Sequence, residues 1–181
     1  MNIFDYIFPK YCFICSRIGK DICDNCLKGI PHTLPSCCIC KKLSNGYFTH
    51  KSCFEIPFQC FTGLYISNSL KLELERKSNL GIYSTHTYIL DRIIEHFSLN
   101  STLNRSNIYP IESDKKEVRV LNNILATRLK VSFKNKRDIL LIGASIENKE
   151  LLLQQVKGLY TEPFNLRILV LFEEPIPPQS E

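Results

Sequence analysis

The pattern of apolar and polar residues in the second half of the chain predicts a regular succession of strands and helices. Runs in which nearly every residue is apolar predict buried strands, at residues 107–111, 138–142 and 166–172. The segments between these runs carry apolar residues three and four positions apart, which is helical spacing, at residues 116–130 and 145–159. Strand–helix–strand–helix–strand is the order of two βαβ units, which form a parallel sheet with helices on its faces.

Upstream of these units the pattern is less uniform. Residues 61–67 predict a short strand and residues 85–97 an amphipathic helix, whereas residues 70–78 fit either a strand or a helix. Ser145 is expected to cap the last helix, where Glu147 in the first turn suits the helix dipole. The fold class is therefore predicted to be α/β, with a small parallel-sheet domain.

Length and composition limit the classes of protein to consider. The chain has 181 residues, 44% of them hydrophobic and 23% charged, which is ordinary for one folded domain plus a small module. No apolar run approaches the roughly 20 residues that a membrane span needs. The first residues lack the basic region of a secretory signal, so we expect a cytoplasmic, reducing location. A formal charge of +5 is too small by itself to indicate a partner of opposite charge.

Cysteine divides the chain into two parts. All nine cysteines lie at or before Cys60, and residues 61–181 contain none. We therefore predict a cysteine-rich module at residues 1–60 and an α/β domain at residues 61–181. An odd number of thiols in a reducing compartment favours metal binding over disulfide pairing.

The cysteines form two sets with the spacing of zinc ligands. The first set has two Cys-x2-Cys pairs separated by seven residues, and its members are Cys12, Cys15, Cys23 and Cys26. The second set replaces one cysteine by a histidine, and its members are Cys37, Cys40, His50 and Cys53. Each pair makes a tight turn that lets both side chains reach one tetrahedral ion. Two zinc ions, each closed by four protein ligands, are therefore expected to be structural rather than catalytic.

One ambiguity remains in the second set. Cys38 is adjacent to Cys37, and Cys60 follows Cys53 by seven residues, so either could replace His50 or Cys37 as a ligand. The interpretation that we favour for Cys38 and Cys60 is that of small buried apolar residues.

The chain resembles the ComF family, which combines a double zinc knuckle with a phosphoribosyltransferase-like domain. The resemblance is strongest in the first 60 residues, where Phe8-Pro9-x2-Cys12 and both knuckles fall where the family has them. In the α/β domain, Tyr109-Pro110-Ile111 is similar to the family's Val-Pro-Val-Pro strand. The segment Arg119 to Asn123 is similar to its Arg-Gly-Phe-Asn-Gln motif, and Leu140 to Ile142 to the strand that leads into its pyrophosphate-sugar loop.

This resemblance implies a type I phosphoribosyltransferase fold with a pocket for phosphoribosyl pyrophosphate. It implies that Arg119 and Asn122 bind substrate, and that Mg2+ takes part only if the transferase site is active. It also implies a link to DNA uptake and recombination, with single-stranded DNA and DNA-uptake or recombination proteins as partners.

The chain departs from the family in the parts that carry catalysis. The family has two aspartates and a Thr-Thr-Gly-x-Thr turn where this chain has residues 143–149. These residues contain no aspartate, and there is no glycine in the turn that follows Gly143. Glu147 puts a negative charge where a phosphate would bind. Only residues 131–137 separate a predicted helix from the next strand, too few for the family's lid. We therefore assign no catalytic residue and predict an inactive transferase domain. The alternatives are an active phosphoribosyltransferase and a zinc-dependent binder of single-stranded nucleic acid.

Overall fold

The computed structural model describes residues 9–129, 138–159 and 165–173. Phe8, Lys130 and the short segment 131–137, on which parts of the sequence argument fall, lie outside the described residues. The helices are α1 Asp24–Gly29, α2 Asn68–Asn79, α3 Ser84–His96, α4 Asn100–Arg105, α5 Lys116–Leu129 and α6 Lys149–Leu159, with a 3-10 turn at Asn45–Tyr47. The strands are β1 Gln59–Tyr65, β2 Ser106–Pro110, β3 Asp138–Gly143 and β4 Leu166–Glu173. Within these ranges, no helix is both long and apolar enough to cross a membrane.

The strands form one four-stranded parallel sheet in the order β1-β4-β3-β2, which confirms the predicted α/β class. The units β2–α5–β3 and β3–α6–β4 are the two βαβ units predicted from the sequence. Ile108 pairs with Leu140 between β2 and β3, and Leu141 pairs with Ile168 between β3 and β4.

Strand β1 occupies the sheet edge beyond β4. It pairs with β4 in parallel, with Cys60 opposite Ile168. The sequence predicts this strand at residues 61–67, whereas it begins at Gln59 and ends at Tyr65. The earlier start follows from the buried positions, since Cys60, Thr62 and Leu64 are all buried along β1.

Each face of the sheet buries its own apolar core, because successive residues of a strand point to opposite faces. Leu140 and Ile142 of β3 join the first core, which contains residues of α2, α3 and α5. Ile139 and Leu141 join the second core, which contains Leu152 and Val156 of α6. The central strands are therefore buried on both faces, as their continuous apolar runs predict.

The cysteine-rich segment contributes to both cores. Ile22 and Leu27 belong to the first core, and Cys38 and Phe58 belong to the second. The apolar packing thus crosses residue 60, where the sequence divides into two parts, and the two-module organisation stays a prediction.

The structure decides one open alternative, corrects one expectation and adds one helix. Residues 70–78 lie within helix α2, whose N-terminus is capped by Ser67 through its hydroxyl oxygen and the Leu70 amide. The expectation that Ser145 caps the last helix is wrong, because α6 begins at Lys149. Asn148 is the capping residue, with Oδ1 accepting from the amides of Glu150 and Leu151 at 3.0 and 3.1 Å. Helix α4, with only Leu103 buried, was not predicted.

Gly63 lets helix α3 approach β1 closely. A Cβ atom at this position would overlap the side chain of Ile93 and lie 2.7 Å from the carbonyl oxygen of Leu171. Because the second neighbour is backbone of the adjacent strand, it cannot rotate away. A larger residue therefore has to push the helix or the strand apart.

We predict that Gly63→Ala lowers the free energy of unfolding by about 1–3 kcal/mol, the usual cost of overpacking a core. The matched control is Gly158→Ala, since Gly158 is exposed in α6 and an added Cβ there meets nothing within 4 Å. The control should stabilise the helix by up to about 1 kcal/mol. Urea unfolding followed by circular dichroism measures both variants, and equal stability of the two would contradict the close packing at Gly63.

Candidate functional site

Two clusters of side chains have the composition and geometry of metal centres. The thiol sulfurs of the first cluster lie within 4.8 Å of one another, and they belong to Cys12, Cys15, Cys23 and Cys26. The same limit holds for the second cluster, which consists of Cys37, Cys40, His50 and Cys53. The structure therefore brings together the two sets of residues that the sequence singled out.

The first Cys-x2-Cys pair of each cluster adopts the same turn. In the first cluster the amide of Ser16 donates to the carbonyl of Cys12 at 2.8 Å, and in the second the amide of Lys41 donates to the carbonyl of Cys37 at 2.8 Å. Ser16 and Lys41 both have left-handed backbone conformations, with φ of 57° and 63°. This conformation after the second cysteine folds the chain back so that both sulfurs face the same point.

Backbone amides favour thiolates in both clusters. Burial raises the pKa of Cys12, but amide groups of Cys23, Cys15 and Ile14 outweigh that effect and lower the pKa to about 6. The Cys23 amide lies 3.4 Å from the Cys12 sulfur. In the second cluster, amides of Cys40, His50 and Ile39 likewise outweigh burial and lower the pKa of Cys37 to about 7.

The remaining thiols show why a cation is needed. Hydrogen bonds with Cys15 and Cys23 raise the pKa of Cys26 to about 12, and burial with the neighbouring thiols raises that of Cys53 to about 11. The four sulfurs of the first cluster, or the three of the second, cannot all become thiolates in the absence of a compensating positive charge. A bound metal ion supplies that charge and deprotonates its ligands.

The imidazole of His50 is oriented for metal binding. Its Nδ1 lies 3.3 Å from the Cys40 sulfur, and its Nε2 lies 3.0 Å from the carbonyl oxygen of Leu43. Since a carbonyl only accepts hydrogen bonds, Nε2 carries the proton and Nδ1 presents its lone pair to the cluster. Ligating histidines are commonly held by such a contact on the far nitrogen.

Cys38 and Cys60 lie apart from the ligand clusters. Both are buried in the second core, with 2% and 0% of their surface exposed. A hydrogen bond with Cys38 and complete burial raise the pKa of Cys60 well above its usual value. The two thiols therefore behave as small buried residues, and the cluster geometry favours His50 and Cys37 as ligands.

The donor sets fit zinc. Zinc–sulfur bonds of about 2.3 Å in a tetrahedron put two sulfurs about 3.8 Å apart. The sulfurs of Cys15 and Cys23 are 3.7 Å apart, which leaves room for such an ion between them. Three or four soft ligands without an open position are typical of structural zinc sites.

A buried ion pair fixes the first cluster to the α/β domain. Asp21, two residues before Cys23, lies 2.7 Å from the ammonium of Lys77 on α2. It also accepts a hydrogen bond of 2.7 Å from the hydroxyl of Thr85 on α3. Burial raises the pKa of Asp21, but these two partners outweigh it and hold the pKa below its usual value. The carboxylate therefore stays charged although it is buried.

The loop after β3 is organised around a carboxylate. Glu147 accepts a hydrogen bond of 2.8 Å from the hydroxyl of Ser145 and one of 2.6 Å from the ammonium of Lys115. The hydrogen bond from Lys115 lowers the pKa of Glu147. This is the position at which the family resemblance implies a phosphate-binding turn, and it is occupied by an ionised acid.

The two residues that the resemblance implied for substrate binding are in different environments. Arg119 is exposed on α5, whereas Asn122 is fully buried. The Asn122 amide nitrogen donates to the carbonyl of Ile111 at 2.8 Å, and its oxygen accepts from the amide of Ala144 at 2.9 Å. Asn122 thus connects the ends of β2 and β3. Substrate binding by Arg119 and Asn122 stays a prediction.

A cavity of about 550 Å³ opens at the carboxyl ends of β1, β3 and β4. Ligands of parallel α/β sheets bind at this edge. Three of its lining residues, Lys41, His86 and Glu173, were not identified as functional from the sequence. The sequence gives one indication of such a role: the charged residue Glu173 directly follows the apolar run that predicts a buried strand.

We predict that Asn122→Ala lowers the free energy of unfolding by about 2–5 kcal/mol, because it leaves two buried backbone groups without partners. Asn123→Ala is the matched control, since Asn123 is exposed on the same helix. Chemical denaturation of both variants measures the difference. If Asn122→Ala lost less free energy of unfolding than Asn123→Ala, the hydrogen bonds that join β2 and β3 through Asn122 would not be stabilising.

No protein-family model, curated protein or solved structure matches the chain in comparisons with known proteins. The functional argument therefore depends on the residues of this chain and on the geometry that they adopt.

Proposed function

We propose that this chain is a ComF-like protein in which two structural zinc ions hold the cysteine-rich segment and the α/β domain binds rather than catalyses. Zinc binding is supported by the convergence of two complete four-ligand sets, in each of which the ligand atoms lie within 4.8 Å of one another. The absence of catalysis is supported by the Glu147 carboxylate in the loop after β3, which accepts hydrogen bonds from Lys115 and Ser145.

Each zinc ion supplies a cross-link between four side chains of one short segment, residues 12–26 or residues 37–53. Regular structure is sparse between residues 9 and 58, where the described helices are α1 and a single 3-10 turn. A segment of that kind buries too little apolar surface to fold alone, and structural metals commonly stabilise such small modules. The eight ligands therefore hold Ile22, Leu27, Cys38 and Phe58 in place to complete the two cores.

The charges around the strand ends argue against binding of phosphoribosyl pyrophosphate. Four carboxylates line the cavity, those of Glu75, Glu117, Glu147 and Glu173, and two ammonium groups, those of Lys41 and Lys71. A site for a polyanion needs the opposite balance, or metal ions held by acidic side chains that also bind the substrate. Mg2+ would belong to this chain only if the transferase were active.

We propose that the protein acts as an adaptor in DNA uptake or recombination, a role that the family resemblance suggests. The structure supports an adaptor over a nucleic-acid binder in one respect. A nucleic-acid binder needs basic side chains that are free to contact phosphates, whereas Arg128 on α5 lies 3.4 Å from Asp91 and is partly neutralised by it. In a naturally transformable host, deletion of the gene should lower transformation frequency, and restoration of the gene should recover it. Unchanged transformation would remove this role.

We predict that the purified protein contains two zinc ions per chain, one for each ligand set. Cys53→Ser should lose one ion, because it removes a ligand of the second set. Cys38→Ala is the matched control and should keep both, since Cys38 is a core residue. Elemental mass spectrometry measures the zinc content. If Cys38→Ala lost one zinc ion and Cys53→Ser kept both, Cys38 rather than Cys53 would be the ligand, and the prediction would be wrong.

We also predict that phosphoribosyl pyrophosphate with Mg2+ gives no heat of binding at millimolar concentration, because the ionised Glu147 repels its phosphates. Titration calorimetry of the zinc-loaded protein measures this, and an assay for pyrophosphate release gives an independent readout. Micromolar binding would favour the alternative of an active phosphoribosyltransferase.

A further inference from the structure

The cavity at the carboxyl ends of the strands has the properties of a small-molecule site. Its volume of about 550 Å³ lies within the range of about 300–1,000 Å³ that is usual for ligand pockets. It is enclosed by α2, α3 and α5 on one side and by the ends of β1, β3 and β4 on the other. The second knuckle also contributes one side chain, that of Lys41.

Apolar side chains make up most of the cavity wall, and the most prominent are Ile66, Leu74, Leu121, Ile146 and Phe172. Such a surface favours a ligand with a flat or branched apolar body, because contact with it removes apolar area from water.

A buried carboxylate lies among these apolar groups. The side chain of Glu173, the last residue of β4, is only 8% exposed. The ammonium of Lys41 pairs with its Oε1 atom, and Oε2 is buried and receives no hydrogen bond from any described residue. A carboxylate accepts several hydrogen bonds, and a buried acceptor without a donor is costly. Oε2 is therefore available to an N–H group from outside the chain.

A buried imidazole provides a second unused polar group. His86 of α3 lines the same cavity and is 2% exposed, and its Nδ1 has no hydrogen-bond partner within the described ranges. Burial and the nearby charge of Lys77 lower the pKa of His86 to about 4, so the ring is neutral at physiological pH. A neutral ring does not repel a cation, and its ring edge can make one more hydrogen bond.

We propose that this cavity binds a small organic cation, an amine or amidine attached to an apolar or aromatic body. The N–H groups of the ligand donate to Oε2 of Glu173, and the apolar body packs against Leu74 and Phe172. Even when Glu147 is counted as neutralised by Lys115, carboxylates outnumber ammonium groups along the wall by three to two, which favours a cation and disfavours anions. The proposal goes beyond the adaptor function and does not depend on the family resemblance.

Three indole compounds that differ in charge test this proposal on the zinc-loaded protein. They are tryptamine, a cation; tryptophol, its neutral alcohol; and indole-3-propionate, an anion. Titration calorimetry should show the tightest binding for tryptamine, with tryptophol weaker by about tenfold or more, as expected for the loss of a charge-assisted hydrogen bond. Indole-3-propionate should bind more weakly than both.

Substitutions at Glu173 and Lys41, which pair with each other, should change tryptamine affinity in opposite directions. Glu173→Gln should reduce tryptamine affinity by about tenfold or more, while tryptophol affinity changes little. Lys41→Met removes the competing ammonium and should increase tryptamine affinity. Glu117→Gln is the comparison variant: Glu117 lines the cavity but is exposed, so the loss of its charge should reduce tryptamine affinity by less than Glu173→Gln does.

A cavity-filling variant keeps the test decisive if Glu173→Gln does not fold. Ser78→Phe places a ring in the cavity from α2, and it should abolish binding of all three compounds while zinc content and circular dichroism stay unchanged. The proposal is overturned if tryptamine does not bind at millimolar concentration or if indole-3-propionate binds as tightly as tryptamine. Equal effects of Glu173→Gln and Glu117→Gln on tryptamine would also overturn it.

Discussion

The rest of the structure depends on the burial of both faces of β3 and β4. These two strands are almost entirely apolar, and successive side chains enter opposite cores. Helices α2, α3 and α5 cover one face, and α6 covers the other. The cysteine-rich segment then adds apolar residues to both sides, so its two metal clusters are held against opposite faces of one sheet. Disruption of either apolar core would remove the packing that holds one of the two ligand clusters in place.

Local sequence patterns predicted the elements better than their arrangement. Apolar runs are enough to find β3 and β4, because parallel strands in the middle of a sheet bury both faces. The shorter run of β2, at the sheet edge, was also enough to predict that strand. Ligand spacing likewise found both clusters, because tetrahedral coordination limits how far apart paired ligands can lie along the chain. The position of β1 beside β4 depends on a long-range pairing that no local window contains. Asn148 capped α6 in place of Ser145 because several polar residues before the helix could have served.

The polar residues that line the cavity could not be predicted from the sequence for a related reason. The polar groups of the cavity come from α3, β4 and the second knuckle, which are far apart along the chain. The sequence gives no reason to single out His86, whose Nδ1 has no hydrogen-bond partner in the described part of the chain. The motif resemblance gives the position of Asn122, and the folded arrangement adds that its side chain joins two strands. Substrate binding by Asn122 stays a prediction.

Lys41 gives the second metal cluster an influence beyond its own ligands. The residue follows Cys40 directly, and its left-handed backbone belongs to the turn that presents the two sulfurs. Its ammonium nevertheless lies on the carboxylate of Glu173 at the end of the central strand β4. The turn that positions the sulfurs of Cys37 and Cys40 therefore also positions the ammonium group that faces the cavity, so the knuckle and the cavity share one structural support.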